Sequence, residues 1–356
     1  MSNVELSTFD NHLSLDGPAA LVIREHLIPV EGADGVCFPS TFADIGYNID
    51  YENPRDKTGR NIALIDSVGS QANRIEPMFA EEPYKELVPQ INIKAGNQSI
   101  NLLLAGHRAG DAIARCSELG DELQSAFREI LKGNALPLTK IAPTSLVFGV
   151  WDSRDTQAKL PRLIASTVRA FNVRKLTRSA TYLAPVDYVS EGVISAEDAQ
   201  KADGSSKNPL SSTGFVNALA NETHGGIIAE GGIRRDAVLA LSALKLLKAD
   251  NKEDQKATEK LQRYILGLAL VAFTKLPLGY YRQGTILVLN PDQPREFFQV
   301  ALDGTRKPCT ITHGDALAFA KAAAQAFEVS EIRNVDFDKD SAKRKIAEAK
   351  KKKGKE

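Results

Sequence analysis

Apolar runs of two different periods follow one another along this chain without strict alternation, and that mixture limits the fold more than any motif does. Branched or continuous apolar runs at 19–30, 91–100 and 145–151 read as strands. Residues 111–131, 161–171, 234–247, 258–273 and 316–327 read as helices from their apolar stripes, the second opened by Pro161 in its first turn. A doubly wound parallel sheet needs regular strand–helix alternation, so the pattern predicts an α+β fold. Residues 285–289 and 296–302 fit two strands of a hairpin joined across 290–295. Two stretches break the pattern. Residues 31–60 are rich in Gly, Pro, Asp and Asn with scattered aromatics, which predicts a binding excursion or a hairpin. Residues 183–213 lack sustained periodicity and are expected to protrude.

The chain has 356 residues, of which 43% are hydrophobic and 25% charged, the proportions of a globular protein with a real core. Its 45 basic and 45 acidic side chains cancel, unlike those of a stand-alone nucleic-acid binder. The distribution is uneven: residues 1–100 carry 7 Lys/Arg against 15 Asp/Glu, whereas 140–182 carry 8 against 2. An acidic and a basic region suit two different partners, or each other across a homo-oligomer. Cys37, Cys116 and Cys309 are isolated and show no ligand spacing, so neither a disulfide framework nor a metal site is expected. The longest apolar run, 265–273, falls well short of the roughly 20 residues of a membrane span. The N-terminus lacks a signal-peptide pattern, and a cytoplasmic protein is expected.

No nucleophile elbow, P-loop or G-x-G-x-x-G is present, so no cofactor and no catalytic residue is assigned. The five histidines stand apart; His107 beside Arg108 is the pair placed to approach a phosphate. Binding chemistry is better represented. In the stretch 66–76, Gly69 supplies a corner and Ser70 an N-cap for a helix expected to begin at Gln71, with Arg74 one turn on. A hydroxyl, an amide and a guanidinium at a helix N-terminus suit a phosphate, or else form an ordinary capped helix. Arg154, Lys159, Arg162 and Arg178 lie in the basic region, beside Trp151, Phe171 and Tyr182, which offer stacking surfaces. On the expected 161–171 helix Arg162 and Arg169 share a face. Arg234 and Arg235 follow Gly231 and Gly232, where the backbone can approach a strand closely. The Lys-rich residues 339–356 read as a solubilising tail, disordered or fraying.

Ser70-Gln71-x-x-Arg74, following a strand and the polar loop Asp56-Lys57-Thr58-Gly59-Arg60, resembles the Ser-Gln-x-x-Arg element of RAMP-superfamily CRISPR proteins, in particular the Cas-seven group of crRNA-binding backbone subunits in type I effector complexes. The block from Ile141 to Arg154, with Lys159-Leu160-Pro161-Arg162 and Leu176-Thr177-Arg178-Ser179-Ala180, resembles its subtype I-G (formerly I-U) branch. The likeness covers most of 15–330. It departs from the wider group at Asn73, where a Lys is common, and at Pro77, which shortens the helix. The resemblance implies a modified RRM (ferredoxin-like) core with long insertions, a single RNA-binding domain over 1–338, and a thumb-like projection within 183–233. It further implies a non-catalytic Cascade subunit that lines up with copies of itself along crRNA, contacts other Cascade subunits, and meets target DNA through the guide. The enzymatic rival is a metal-independent RAMP endoribonuclease using His107 or His224.

Overall fold

In the strand Ala20–Pro29, Leu21, Ile23, Glu25 and Leu27 are buried while Val22, Arg24, His26 and Ile28 stay half-buried on the opposite face. This two-residue period makes one side of a sheet a core wall and leaves the other open. A computed structural model describes residues 5–203, 208–249 and 254–353. Strand 20–29 lies centrally in an antiparallel sheet of order Tyr280–Arg282, Thr285–Leu289, Ala20–Pro29, Ile233–Ala240, Ile164–Phe171, Asp56–Asp66, Ile49–Asn53. Glu296–Val300 pairs with the first half of strand 20–29, along the edge whose other half holds Thr285–Leu289.

Taken as last, first, third and second, the strands around 296–300, 20–29, 233–240 and 164–171 lie side by side, each antiparallel to its neighbours. Helical segments follow the first and the third of them. That is the order of an RRM-like core, here extended by strands 56–66 and 49–53 and by long insertions. The α+β expectation therefore holds. One face is sealed by the helices Gln255–Thr274 and His313–Phe327, which cross closely. A Cβ on Gly267 would stand 2.9 Å from the Ala320 Cα, and the Tyr264 and Phe327 rings stack 4.4 Å apart.

Several local expectations fail for identifiable reasons. Residues 164–171 form a strand, not a helix: Ile164, Ser166, Val168 and Ala170 are buried, and of the residues between them Ala165, Arg169 and Phe171 are more open. Residues 233–240 likewise form a strand, followed only by the short helix Leu241–Leu244. The charges at Arg169 and at the consecutive Arg234, Arg235 and Asp236 interrupt the strand rhythm, which let the remaining apolar residues mimic a helical stripe. The run at 145–151 is mostly the helix Thr144–Phe148, buried on every side, where periodicity cannot distinguish the two states. Residues 111–131 break into Ala112–Arg115 and Gly120–Leu131, and 91–100 into the hairpin strands Ile91–Ala95 and Gln98–Asn101. Strands 285–289 and 296–300 do not pair with each other, since both bind strand 20–29.

Residues 31–60 hold two small hairpins, Thr41–Phe42 with Gly46–Tyr47 and Ile49–Asn53 with the start of 56–66. Val173–Tyr182 and Ala218–Ala229 form a separate two-stranded hairpin whose arms begin ten residues ahead of the expected projection. Its tip, 183–217, carries the helices Ala196–Ala202 and Pro209–Ser212. The arms are footed on the 31–60 insertion, where Cys37 bridges Ile227 and the Tyr47 hydroxyl accepts from Gly226 N–H.

Candidate nucleic-acid interface

The open face of the sheet carries a row of cations. Cross-strand register sets His26, Arg234 and Arg169 side by side, with Arg24, Asp236 and Thr167 in the adjoining row. Arg24 and Arg234 both donate to Asp236, at 3.1 and 2.8 Å. Burial opposes charge on Asp236, but its hydrogen bonds to Arg234 and Arg24 and their positive charges hold its carboxyl below the usual range. The Arg234 guanidinium lies over the Phe171 ring, 4.8 Å from its centroid, and Arg169 donates to Thr167. Glu296 stands opposite Arg24 and 3.9 Å from His26. The result is a half-solvated strip of three guanidiniums against two carboxylates, with an aromatic ring at one end.

The Ser-Gln-x-x-Arg corner works differently from its expected form. Ser67, not Ser70, is the N-cap, and the helix is Val68–Ile75. Ser67 Oγ accepts from Ser70 N–H at 3.2 Å because the strand ends at Asp66 and the chain turns at once, which sets the cap three residues earlier than expected. Gln71 is buried: its amide donates to Asp66 at 2.6 Å and accepts from Ser166 at 2.9 Å. Arg74 spans Asp66 (3.0 Å) and the Tyr281 carbonyl (2.6 Å) but keeps 37% of its side chain exposed. The corner thus ties a strand end to a helix and leaves Ser70 and the rim of Arg74 to solvent. Gln71, Arg74, Arg235 and Lys275 line a cleft of about 330 Å³.

Arg108 and Arg235 are structural struts. Arg108 is buried against Glu76 at 2.6 Å, with Asn73 at 3.0 Å and the Phe148 ring beneath it. Burial raises the Glu76 carboxyl to about 7 against the opposing charge of Arg108. Arg235 pairs with fully buried Glu25 and reaches Ser166. A strand reverses side-chain direction at each residue, so Arg234 faces solvent and Arg235 the core. The expected helix N-terminus after Gly232 is absent.

A second exposed cluster lies beside the 68–75 helix. The short strands Val150–Trp151 and Lys159–Leu160 pair, placing the Lys159 ammonium 5.4 Å from the centroid of Trp151, which is 55% exposed. Buried Asp152 knits the intervening loop by accepting from the Thr156 N–H and hydroxyl, both at 2.7 Å. Arg154 is exposed on that loop. Gly149 sits at φ +80°, and a Cβ there would meet the Arg162 side chain at 2.8 Å. The missing side chain lets Arg162 lie across the start of the helix, its guanidinium 3.9 Å from where a Gly69 Cβ would be.

Arg178 is exposed on the 173–182 arm, next to Lys175 and Arg174, the latter paired with Glu230. His107 is exposed; His224 packs against Tyr47 with ring centroids 4.6 Å apart. Among the described residues no three His, Cys, Asp or Glu side chains gather as metal ligands would. The structure therefore groups Ser70, Arg74, Arg154, Lys159 and Arg162 in one neighbourhood and Arg234 on the sheet face, with Arg178 on the projecting arm. Sequence reasoning missed Arg24, and it placed Arg169 on the wrong element. The strand expected over 19–30 was the available signal, since it sets Arg24 and His26 on one face.

Residues 21–175, from the first strand to the root of the hairpin, match the model of the family described as CRISPR-associated protein GSU0053. No curated protein matches the chain. Among the described residues no helix is long and apolar enough to cross a membrane. That match takes in both the serine–glutamine–arginine corner and the Trp151 cluster, and over residues 21–175 the chain is similar to the CRISPR-associated proteins of the GSU0053 family.

Proposed function

We propose that this protein is a non-catalytic crRNA-binding backbone subunit of a type I effector complex of the I-G kind, and that several copies line up along one guide. The observation that carries the reading is the open sheet face: an RRM-like sheet with its helical side sealed and Arg24, Arg169, Arg234 and Phe171 left half-solvated on the other. Guanidiniums neutralise phosphates without regard to base identity, and an aromatic ring stacks on any base. A guide holder needs that indifference, because base pairing with target DNA must do the reading. Trp151, Lys159 and Arg162 extend the surface. The 173–229 hairpin is the element that would intrude between successive guide segments. The acidic first hundred residues would face the basic region of the next copy or other Cascade subunits.

The test is purification from a host that also expresses the neighbouring CRISPR genes and the repeat array. A small RNA of uniform length should co-purify with a ladder of oligomers. RNA of random length would reject guide holding in favour of general binding. Cleavage of repeat RNA by the purified chain, abolished by His107→Ala/His224→Ala, would establish the endoribonuclease instead.

A further inference from the structure

The Lys-rich C-terminal segment reads as a free tail, yet residues 339–353 form a helix held in one place. Its lead-in strand, Arg333–Asp336, pairs with Ile91–Ala95. The N–H groups of Phe337 and Asp338 donate to the carbonyls of Lys94 and Cys116, at 2.9 and 2.8 Å. The Asp338 carboxylate then accepts from Asp340 and Ser341 N–H, both at 2.9 Å, which caps the helix. One turn further, Lys345 donates to Asp155 at 3.0 Å, and Arg115 holds the same carboxylate at 3.3 Å. Burial opposes the charge on Asp155, but hydrogen bonds from Lys345 and Gln124 and the cations beside it keep its carboxyl below the usual range. Asp155 lies in the loop that joins Trp151 to Lys159. The helix is therefore docked on the candidate interface.

Docking fixes which side is free. At 100° per residue, Lys339, Lys343 and Lys350 fall within about 40° of one another and about 120–160° from Lys345. All three are exposed. They span about 16 Å along the axis, with about 6 Å between the first two, a pitch suited to successive phosphates. Among the described residues the stripe meets one carboxylate, Lys343 to Asp340 at 3.6 Å, an exposed pair that screening leaves weak. A tail serving solubility alone has no need of a cap, a sheet-paired lead-in and an anchor on that loop.

We propose that the helix Lys339–Lys353 is a second nucleic-acid contact, continuing the Trp151–Lys159 surface by gripping a phosphodiester backbone through charge. The inference rests on that surface binding nucleic acid. The backbone belongs either to the single-stranded guide or to duplex target DNA, and the assay separates them. The full chain is titrated with labelled single-stranded RNA and with labelled duplex DNA over a salt series, beside Lys343→Glu/Lys350→Glu. Lys256→Glu/Lys260→Glu, on the helix 255–274, makes the same charge change elsewhere. The tail variant should bind at least one probe roughly tenfold more weakly. Its salt slope should be shallower by about 0.7 for each phosphate no longer neutralised on a single strand, or about 0.9 on a duplex. Weakening confined to RNA names the guide as occupant; weakening confined to the duplex names target DNA. Parental affinity and slope for both probes overturn the proposal, as does an equal weakening in the Lys256/Lys260 variant. If Trp151→Ala/Arg162→Ala abolishes RNA binding while the tail variant keeps it, the guide-holding function stands and the helix proposal falls. If the parent binds neither probe, both fall.

Discussion

Two faces of one sheet use arginine for opposite purposes. On the helix side Arg235 meets fully buried Glu25, which also pairs with Arg295, while Asp66 gathers Gln71, Arg74 and Arg282. On the open side Arg24 and Arg234 share the one carboxylate of Asp236 and remain partly in water. A desolvated guanidinium has to be paired, and its partner then fixes it; a half-solvated one stays available to a ligand. Residue type alone does not distinguish the two, but adjacent positions on one strand do. The sharpest way to break this contrast is Arg235→Ala against Arg234→Ala. The first leaves the buried Glu25 charge to Arg295 alone, empties the space of a buried side chain, and should lower unfolding free energy by about 3 kcal/mol. The second should cost under about 1 kcal/mol in stability. Chemical denaturation checks both, and similar destabilisation in the two variants would erase the distinction.

The next effect in size sharpens the open side. Trp151 stands largely exposed with Lys159 beside it, so Trp151→Ala removes a stacking surface and little packing. It should weaken single-stranded RNA binding by about 1–3 kcal/mol for any sequence, with the denaturation midpoint unchanged. Anisotropy titrations with two RNAs of unrelated sequence decide it; weakening on only one would mean base reading. Smaller again, Arg234→Ala/Arg169→Ala should flatten the RNA salt slope by about 0.7 for each phosphate left unneutralised. An unchanged slope would mean that the row faces something other than a phosphate backbone.

How far the chain could be read in advance follows the same division. Mixed periods pointed to α+β, and strand 20–29 was legible from its branched apolar residues, although its alternation is one of burial and not of polarity. Strands 164–171 and 233–240 were missed because Arg169, Arg234 and Arg235 break the apolar rhythm, and it is the pairing of Arg235 with Glu25, 210 residues away, that makes a buried charge tolerable. The neighbourhood of Ser70, Arg74, Lys159 and Arg162 was visible as motif and charge. Which member of it turns inward was not, since Gln71 is committed by Asp66 and Ser166 and not by its own neighbours in sequence. The cap moved from Ser70 to Ser67 because two serines three apart compete for one corner, and only the end of the strand at Asp66 selects between them.

The smallest expected effect belongs to the sealed side. His12 is buried against the Phe9 ring, and burial, aided by the charge of Lys245, holds its imidazole below its ordinary value near 6.5. His313, between Tyr84 and Thr274, is lowered by burial, then by Lys275 and Arg295. For such groups the unfolded chain binds more protons, so their stabilising share is whole above about 6.5 and is lost as pH falls through that value towards the folded pKa. Glu76 works in the opposite sense, because a carboxyl raised to about 7 contributes stability that is lost as pH rises from its unfolded value through 7. The raw pH profile therefore mixes signs, and the difference between variant and parent is what isolates one group. His12→Leu keeps the apolar contacts and removes the titration. Its unfolding free energy relative to the parent should rise, the variant becoming relatively more stable, as pH drops from 7.5 to 5, by up to about 1.4 kcal/mol for each unit by which the folded pKa is depressed. A difference that stays constant across that range would mean that His12 titrates as it does in water, and that burial on the helix side does not govern the acid sensitivity of this fold.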